Sequence, residues 1–200
     1  MSGDPLGWFE PLYSAAARGD AQVPWEREEP RELLVEWAEA AGLDGGGRPA
    51  LVVGAGFGAD AEYLSARGFA TTAFDIAPTA VRLARERHPG SSVDYVVADL
   101  LAPPATWAGA FALVLDCLTV QSLPDDLRPA AIANLAPLVA PGGTLLVIAS
   151  ARDAADGPVH GPPWPLTRAE VESFATGEVE AVRIEEREGP RWRAEFRRAQ

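Results

Sequence analysis

The chain has 200 residues, of which 48% are hydrophobic and 23% charged, a composition typical of one soluble globular domain with a substantial core. Its formal net charge of −12 argues against a nucleic acid as ligand, because binding to phosphates needs clustered positive charge. All 17 basic residues are arginine. The missing lysine excludes a lysine Schiff base, a Walker A loop and a Tyr-x-x-x-Lys dehydrogenase site.

The sequence contains neither a signal-peptide pattern nor an apolar run of the roughly 18 to 20 residues that span a bilayer. We therefore expect a cytoplasmic protein with no membrane partner. Cys117 is the single cysteine, so no internal disulfide can form, and no Cys/His spacing indicates a metal site.

Secondary structure is predicted from apolar spacing and from turn residues, in chain order. Trp8, Phe9, Leu12 and Tyr13 have helical spacing that ends near Gly19, and a second helix after Pro30 ends at Gly42. Strands and helices then alternate. We predict strands at 50–53, 69–74, 93–97, 111–115 and 142–149, and helices at 59–66, 80–87 and 127–139.

The last 50 residues follow another pattern. Thr167 and Glu170 have the spacing of a capping box, which predicts a helix of about eight residues. Two strands at 179–187 and 191–198 follow, and the second alternates apolar with charged residues, as a half-buried antiparallel strand does. Residues 153–165 form a loop rich in Gly and Pro.

Short, nearly all-apolar strands separated by helices indicate an α/β fold with a doubly wound parallel sheet. Right-handed crossovers place the carboxyl ends of all parallel strands at one edge, where ligands of such sheets bind. Asp75, Asp99 and Asp116 each follow one of the predicted strands, so we expect them along this edge.

The segment Val-Val-Gly-Ala-Gly-Phe-Gly-Ala-Asp at 52–60 predicts a strand that ends in a glycine turn and opens a helix. Glycines there let the backbone approach a ligand closely, and Asp75, 21 residues after Gly54, can accept both hydroxyls of a ribose. Gly54, Ala55 and Gly56 start a motif that fits two classes equally, the dinucleotide fingerprint G-x-G-x-x-A and the G-x-G-x-G of methyltransferases.

Three further features favour S-adenosylmethionine over a dinucleotide. Asp99 can accept a hydrogen bond from an adenine amine while Leu100 packs against the ring. The chain ends in an antiparallel hairpin instead of the second nucleotide-binding half of a dinucleotide fold. The chain also has no plausible set of catalytic residues for hydride transfer, because it lacks lysine and its only histidines are His88 and His160.

Residues 49–150 resemble the core of class I S-adenosylmethionine-dependent methyltransferases. The matching motifs are VVGAGFGAD, AFDIA, VADLL, FALVLDCLTVQSLP and LVAPGGTLLV. The terminal hairpin is similar to the last two strands of that fold. The N-terminal segment, with Tyr13, Gly19 and Pro24-Trp25, resembles the thiopurine methyltransferase-like group, which acts on small molecules.

The resemblance implies a Rossmann-like, seven-stranded, mostly parallel sheet in a single methyltransferase domain over 1–200, with an N-terminal helical lid at 1–47 and the core at 48–200. It places the cofactor across residues 54–58. Asp75 would hold the ribose and Ile76 would pack on the adenine. Asp116 and Cys117 would lie near the methionine moiety or the transferred methyl group, and Trp25 would close over the cofactor.

The acceptor is expected to be a small molecule, because the segment Asp116-Cys-Leu-Thr119 lacks the Asn/Asp-Pro-Pro-aromatic motif of many enzymes that methylate amino groups of nucleic acids and proteins. The predicted acceptor pocket contains Gln121, His160 and Trp164. Asp116 or His160 would act as a general base where the acceptor must lose a proton. A dinucleotide-dependent oxidoreductase and a catalytically inactive cofactor-binding module stand as the alternatives.

Overall fold

The computed structural model describes residues 6–153 and 161–200. Within these ranges no helix is long and apolar enough to cross a membrane. The chain divides into two compact units, Met1–Asp99 and Leu100–Gln200. The prediction of a single domain, with an N-terminal lid that ends at residue 47, stays a prediction.

The first unit contains three parallel strands and the helices that connect them. Its elements are α1 (Phe9–Ala17), α2 (Glu32–Ala40), β1 (Pro49–Val53), α3 (Ala59–Ala66), β2 (Ala70–Asp75), α4 (Pro78–Arg87) and β3 (Asp94–Val97). Val53 pairs with Phe74, and Asp75 pairs with Val97, so the three strands end side by side. The four residues of β1 that follow Pro49 are buried, because helices cover both faces of a parallel sheet.

A carboxylate fixes the N-terminal helix to the first unit. Glu10, in the first turn of α1, accepts hydrogen bonds from the backbone N–H of Thr79 at 3.0 Å and from its hydroxyl at 2.5 Å. Thr79 lies in the first turn of α4, where backbone N–H groups have no partner within the helix. Helix α1 therefore supplies to α4 an acceptor that α4 does not have in its own sequence.

Gly58 begins α3 in a conformation that other residues rarely adopt, with φ of +95°. A Cβ at this position would lie 2.2 Å from the hydroxyl oxygen of Tyr95. That hydroxyl donates to Glu62 at 2.6 Å, so its place is held by a second contact. Position 58 therefore requires glycine both for its backbone angle and for space.

The second unit contains the remaining four strands. Its elements are β4 (Phe111–Cys117), α5 (Arg128–Leu135), β5 (Val139–Ser150), α6 (Arg168–Glu172), β6 (Val179–Arg187) and β7 (Arg191–Arg198). A short 3-10 turn, Val120–Ser122, follows β4. Strand β4 pairs with β5 in parallel, whereas β7 is antiparallel to both β5 and β6.

The seven strands form one sheet in the order β3-β2-β1-β4-β5-β7-β6. The predicted α/β fold, with a Rossmann-like, mostly parallel sheet and a C-terminal antiparallel hairpin, is confirmed. The hairpin strands and helix α3 have the predicted bounds. The capping box is also present, since the Thr167 hydroxyl accepts from the Glu170 N–H and Glu170 accepts from the Thr167 N–H.

Two helix predictions were too long. The helix predicted at 127–139 ends at Leu135 and continues as a 3-10 turn over Ala136–Leu138, because Pro137 has no N–H to continue the α-helical hydrogen bonds. The helix predicted to have about eight residues after Thr167 has five. Its next residues, Ser173–Thr176, continue as turns.

Replacing Gly58 with alanine is expected to lower the free energy of unfolding by about 2–4 kcal/mol, because it adds a clash with Tyr95 to the strain of a left-handed backbone. Gly90→Ala is the matched control. Gly90 also has a positive φ, +87°, but a Cβ there meets nothing within 4 Å. We expect it to lose only about 1 kcal/mol. Urea unfolding measures both, and equal losses would contradict the role assigned to Tyr95.

Candidate active site

The turn after β1 is built from glycines in the left-handed region. Gly54, Gly56 and Gly58 have φ of +64°, +52° and +95°. The N–H of Ala55 donates to the carbonyl of Phe74 at 2.7 Å, which ties the turn to β2. The predicted glycine turn therefore exists, and it lies where β1 and β2 end.

Asp75 is the last residue of β2 and is 5% exposed. One carboxylate oxygen, Oδ2, accepts from the N–H of Gly56 at 3.0 Å, and Oδ1 accepts from the N–H of Ala77 at 3.0 Å. Burial raises the pKa of this carboxyl to about 6, although backbone N–H groups of Ala77, Gly56 and Ile76 oppose the rise. The group is therefore mostly ionised at neutral pH. Asp75 was expected to follow β2 directly, but it is the last residue of that strand.

The first unit fits the ribose end of a nucleoside cofactor. A carboxylate has about four lone-pair positions, and the N–H groups of Gly56 and Ala77 use two of those on Asp75. At least one position is left for a hydroxyl donor. Ile76, predicted to pack on the adenine, comes next in the chain and is half-buried.

Asp99 and Leu100, predicted to frame the base, fall in different compact units. Asp99 is half-buried and follows Ala98, whose N–H donates to the carbonyl of Asp75 at 3.1 Å. Leu100 is buried in the second unit, and its carbonyl accepts from Asn134 Nδ2 at 2.9 Å. The structure therefore brings the backbone next to Asp99 to the end of β2.

Trp25 belongs to an aromatic cluster beside the glycine turn. Its indole N–H donates to the hydroxyl of Tyr13 at 2.9 Å. Tyr13 is 2% exposed, and its hydroxyl lies 3.4 Å from the position that a Cβ on Gly56 would take. Burial and the nearby Asp75 carboxylate raise the pKa of Tyr13 well above its usual value, so the hydroxyl keeps its proton.

Asp116 and Cys117 were expected in a loop after β4, but they are its last two residues. Asp116 is 1% exposed, and its Oδ1 accepts from the N–H of Val120 at 3.2 Å. Burial raises the pKa of this carboxyl to about 7, against the opposing effect of N–H groups from Val120 and Thr119. Near neutral pH it can therefore take up or release a proton. Cys117 is half-buried.

Gln121 lies in the 3-10 turn after β4 and is 1% exposed. Its side-chain Oε1 accepts from the N–H of Ser150 at 2.6 Å, and its carbonyl accepts from the N–H of Trp164 at 2.8 Å. The structure thus brings two residues of the predicted acceptor pocket together. The third, His160, lies outside the described residues.

Arg128 holds this region together and was not predicted as a site residue. It is 4% exposed, and its Nη1 contacts Glu170 Oε1 at 2.7 Å and Asp125 Oδ1 at 2.9 Å. Its Nε donates to the carbonyl of Leu123 at 3.0 Å, and its guanidinium lies 5.7 Å from the ring of Trp164. Glu170 has a lowered pKa, since hydrogen bonds from Thr167 and Arg128 outweigh its burial.

Tyr13 and Arg128 were overlooked for different reasons. Tyr13 has the helical spacing of a core residue, and nothing near it in sequence indicates the glycine turn. Arg128 is the only charged residue of α5, and this was the one feature of the sequence that could have identified it as a functional residue. Within the described ranges, no three His, Cys, Asp or Glu side chains are grouped closely enough to hold a metal ion.

Comparison with known proteins gives consistent results. Residues 50–143 match the model of a methyltransferase domain. The chain is 25% identical over 177 residues to the 2-heptyl-1-hydroxyquinolin-4(1H)-one methyltransferase of Mycobacteroides abscessus, an alignment that covers 84% of this chain and 76% of the relative.

Two solved structures share the fold. The 1,6-didemethyltoxoflavin-N1-methyltransferase of Burkholderia thailandensis, with bound 1,6-didemethyltoxoflavin and S-adenosylhomocysteine, aligns with a TM-score of 0.69 and 19% identity over 100% of this chain and 92% of that one. The N-methyltransferase NodS of Bradyrhizobium japonicum, in complex with S-adenosylhomocysteine, aligns with a TM-score of 0.71 and 20% identity over 96% and 100%.

The domain match decides between the two cofactor classes that the glycine motif left open. A methyltransferase domain covers β1, the glycine turn, Asp75 and Asp116, which are the elements the sequence assigned to the cofactor. The sheet order and the antiparallel last strands agree with that assignment. Residues 50–143 are similar to a methyltransferase domain, and the protein is an S-adenosylmethionine-dependent methyltransferase.

Proposed function

We propose that this enzyme transfers a methyl group from S-adenosylmethionine to a small heterocyclic molecule. The observation that carries the proposal is the ionised, buried carboxylate of Asp75 bonded to the glycine turn at Gly56 within a methyltransferase domain. The heterocyclic acceptor is supported by the relative from Mycobacteroides abscessus, which is named for methylating a quinolinone.

When bound, the cofactor supplies a methyl group activated by a sulfonium, which a nucleophile accepts by in-line displacement. The acceptor's lone pair would form the new bond to carbon as the carbon–sulfur bond breaks, and S-adenosylhomocysteine would be the leaving group. The chain's own residues orient the two molecules and exclude water, because alignment supplies much of the rate in such displacements. A proton must be removed only where the acceptor carries one.

The cofactor is held by residues from the ends of the strands. In the first unit we assign it to Gly54, Ala55, Gly56, Asp75, Ile76 and Asp99, with Trp25 closing over it. In the second unit we assign Leu100, Asp116 and Cys117. Support comes from the burial of Asp75 and its bond to Gly56. The kinship of the N-terminal segment with the thiopurine methyltransferase-like group, and the cytoplasmic location, stay predictions.

The acceptor is assigned to Gln121, His160 and Trp164, and the general base to Asp116 or His160. Asp116 is supported by its burial and by its pKa near 7, since a general base works best when its pKa lies close to the working pH.

Turnover tests the proposal as a whole. S-adenosylmethionine is incubated with the protein and a panel of heterocyclic phenols, quinolinones, thiols and amines, and release of S-adenosylhomocysteine is measured. We expect release with at least one oxygen-bearing heterocycle. Tight binding of S-adenosylhomocysteine without turnover of any acceptor would instead favour the inactive cofactor-binding module.

Asp75→Ala is expected to weaken S-adenosylhomocysteine binding by about 1–3 kcal/mol, because it removes a charged hydrogen-bond acceptor from the ribose. Calorimetry measures the loss. The wild type should also bind more weakly below about pH 6, where Asp75 takes up a proton and loses acceptor capacity. Asp94→Ala is the control, since Asp94 is exposed on β3. Equal affinities for wild type and Asp75→Ala would reject this ribose site.

Asp116→Asn tests the base. In the wild type the deprotonated fraction of Asp116 rises with pH through about 7, so the methylation rate of an acceptor that carries a proton should rise through the same range. The Asn variant has no such group. We expect a loss of about 100-fold and a flat pH profile. A rate within twofold of wild type, with the same profile, would assign the proton to another group.

The same variant has a matching effect on stability. The unfolded-state pKa of Asp is about 3.9, so folding favours the protonated Asp116 and wild-type stability falls as pH rises from about 4 to 7. Asp116→Asn removes this contribution. Relative to wild type, it should therefore become more stable between pH 4 and pH 8 by roughly 2–4 kcal/mol. Urea unfolding at the two pH values measures the difference. A constant difference would show that the carboxyl titrates normally.

A further inference from the structure

The glycine turn and the carboxylate proposed to hold the ribose are covered by protein. Asp75 is 5% exposed, and Gly56 and Phe57 in the turn are buried. The hydroxyl of Tyr13 lies 3.4 Å from the position of a Cβ on Gly56, and the Tyr13 ring packs edge-on against that of Phe57, with centroids 5.4 Å apart. Two hydroxyls of a ribose need more open carboxylate surface than this, so a covering group has to move before the cofactor binds.

The group best able to move is the N-terminal segment 9–26, called the cover below. It consists of α1 and the first part of an irregular loop, in which Trp25 donates to the Tyr13 hydroxyl at 2.9 Å. Residues 18–31 contain turns and bends but no helix or strand. Strands β1 and β2, by contrast, are paired with each other along their length. Moving the cover therefore leaves the hydrogen bonds of the sheet intact.

Two acidic side chains attach the cover to opposite ends of α4. Glu10 accepts from the N–H of Thr79 at 3.0 Å and from its hydroxyl at 2.5 Å, in the first turn of the helix. Glu26 forms an ion pair with Arg87, the last residue of α4. At 1.5 Å per helical residue, the two attachments lie roughly 12 Å apart along the helix axis. The chain between them is thereby held over the glycine turn.

Arg87 contacts the turn as well as the cover. Its guanidinium lies 3.8 Å from the centroid of the Phe57 ring, a cation–π contact. The Arg87 side chain is 39% exposed and that of Glu26 is 32% exposed. An ion pair with this exposure contributes little to stability and is weakened by salt. It can therefore break and re-form without unfolding the chain.

We propose that the cover is already closed in the free protein, and that its release from α4 limits how fast the cofactor enters and leaves. The contacts of Glu10 and Glu26 with α4 form the latch. This inference rests on the proposed function, because it needs the cofactor at Asp75. Binding then follows opening, so the observed binding rate cannot exceed the opening rate at any ligand concentration. The same step slows the release of S-adenosylhomocysteine.

Stopped-flow mixing with S-adenosylhomocysteine tests the latch, with tryptophan fluorescence as the signal because Trp25 lies in the cover. In the wild type the observed rate should reach a plateau as the ligand concentration rises. Glu26→Gln removes the charge that pairs with Arg87, so its plateau should be about two- to fivefold higher, the range for one exposed ion pair. Glu10→Gln keeps one oxygen acceptor for Thr79 but removes the charge. We expect its plateau to rise about fivefold.

Glu28→Gln is the matched control. Glu28 is exposed in the same loop, and the substitution removes the same charge, so the plateau should equal that of the wild type. Ionic strength gives a readout that a purely structural role would not change. Raising NaCl from about 0.05 M to about 0.5 M screens exposed charges, so the plateau should rise in wild type and Glu28→Gln and change less in Glu26→Gln.

Three results would overturn the inference. The observed rate rises linearly with ligand to the fastest rates that mixing resolves; the plateau is the same in wild type and in both latch variants; or Glu28→Gln raises it as much as Glu26→Gln. Calorimetry with S-adenosylhomocysteine comes first. No binding to the wild type would reject the proposed function together with the latch, whereas binding with any of the three results rejects only the latch.

Discussion

The hydrogen bonds of Asp75 are the interaction on which the first unit depends. In the turn of left-handed glycines, Ala55 donates its N–H to the carbonyl of Phe74 in β2, but the N–H of Gly56 needs an acceptor from a side chain. The buried carboxylate accepts from Gly56 on one side and Ala77 on the other, and so joins the turn to the chain that leaves β2. The same carboxylate that shapes the turn remains available to a ligand there.

In the second unit, other side chains accept hydrogen bonds from backbone N–H groups. The side-chain oxygen of Asp116 accepts from the N–H of Val120 in the turn after β4, and that of Gln121 accepts from the N–H of Ser150 at the end of β5. In both units a residue that binds backbone is also a residue proposed to bind ligand. Such a site is rigid before the ligand arrives, which reduces the ordering that binding requires. It also means that a substitution there changes both stability and binding.

The sequence predicted the fold well because the signals for it are local. Alternating apolar runs and Gly or Pro boundaries placed the strands within a few residues, and the capping box at Thr167 was correct. Contacts between distant segments were not predictable. Neither the bond from Trp25 to Tyr13, 12 residues apart, nor that from Ser150 to Gln121, 29 residues apart, leaves a pattern in the sequence. Helix α6 was predicted too long because a capping box indicates where a helix begins but not where it ends.

The contacts of Arg128 explain why an arginine and not a lysine is needed at this position. Its guanidinium nitrogens spread in a plane and reach the carbonyl of Leu123 and the carboxylates of Asp125 and Glu170. An ammonium group presents all of its hydrogens from a single atom and cannot span these acceptors. A lysine at position 128 would leave the buried carbonyl of Leu123 or one of the two carboxylates without this partner. A lysine at this position would also lose the contact that the planar guanidinium makes with the ring of Trp164.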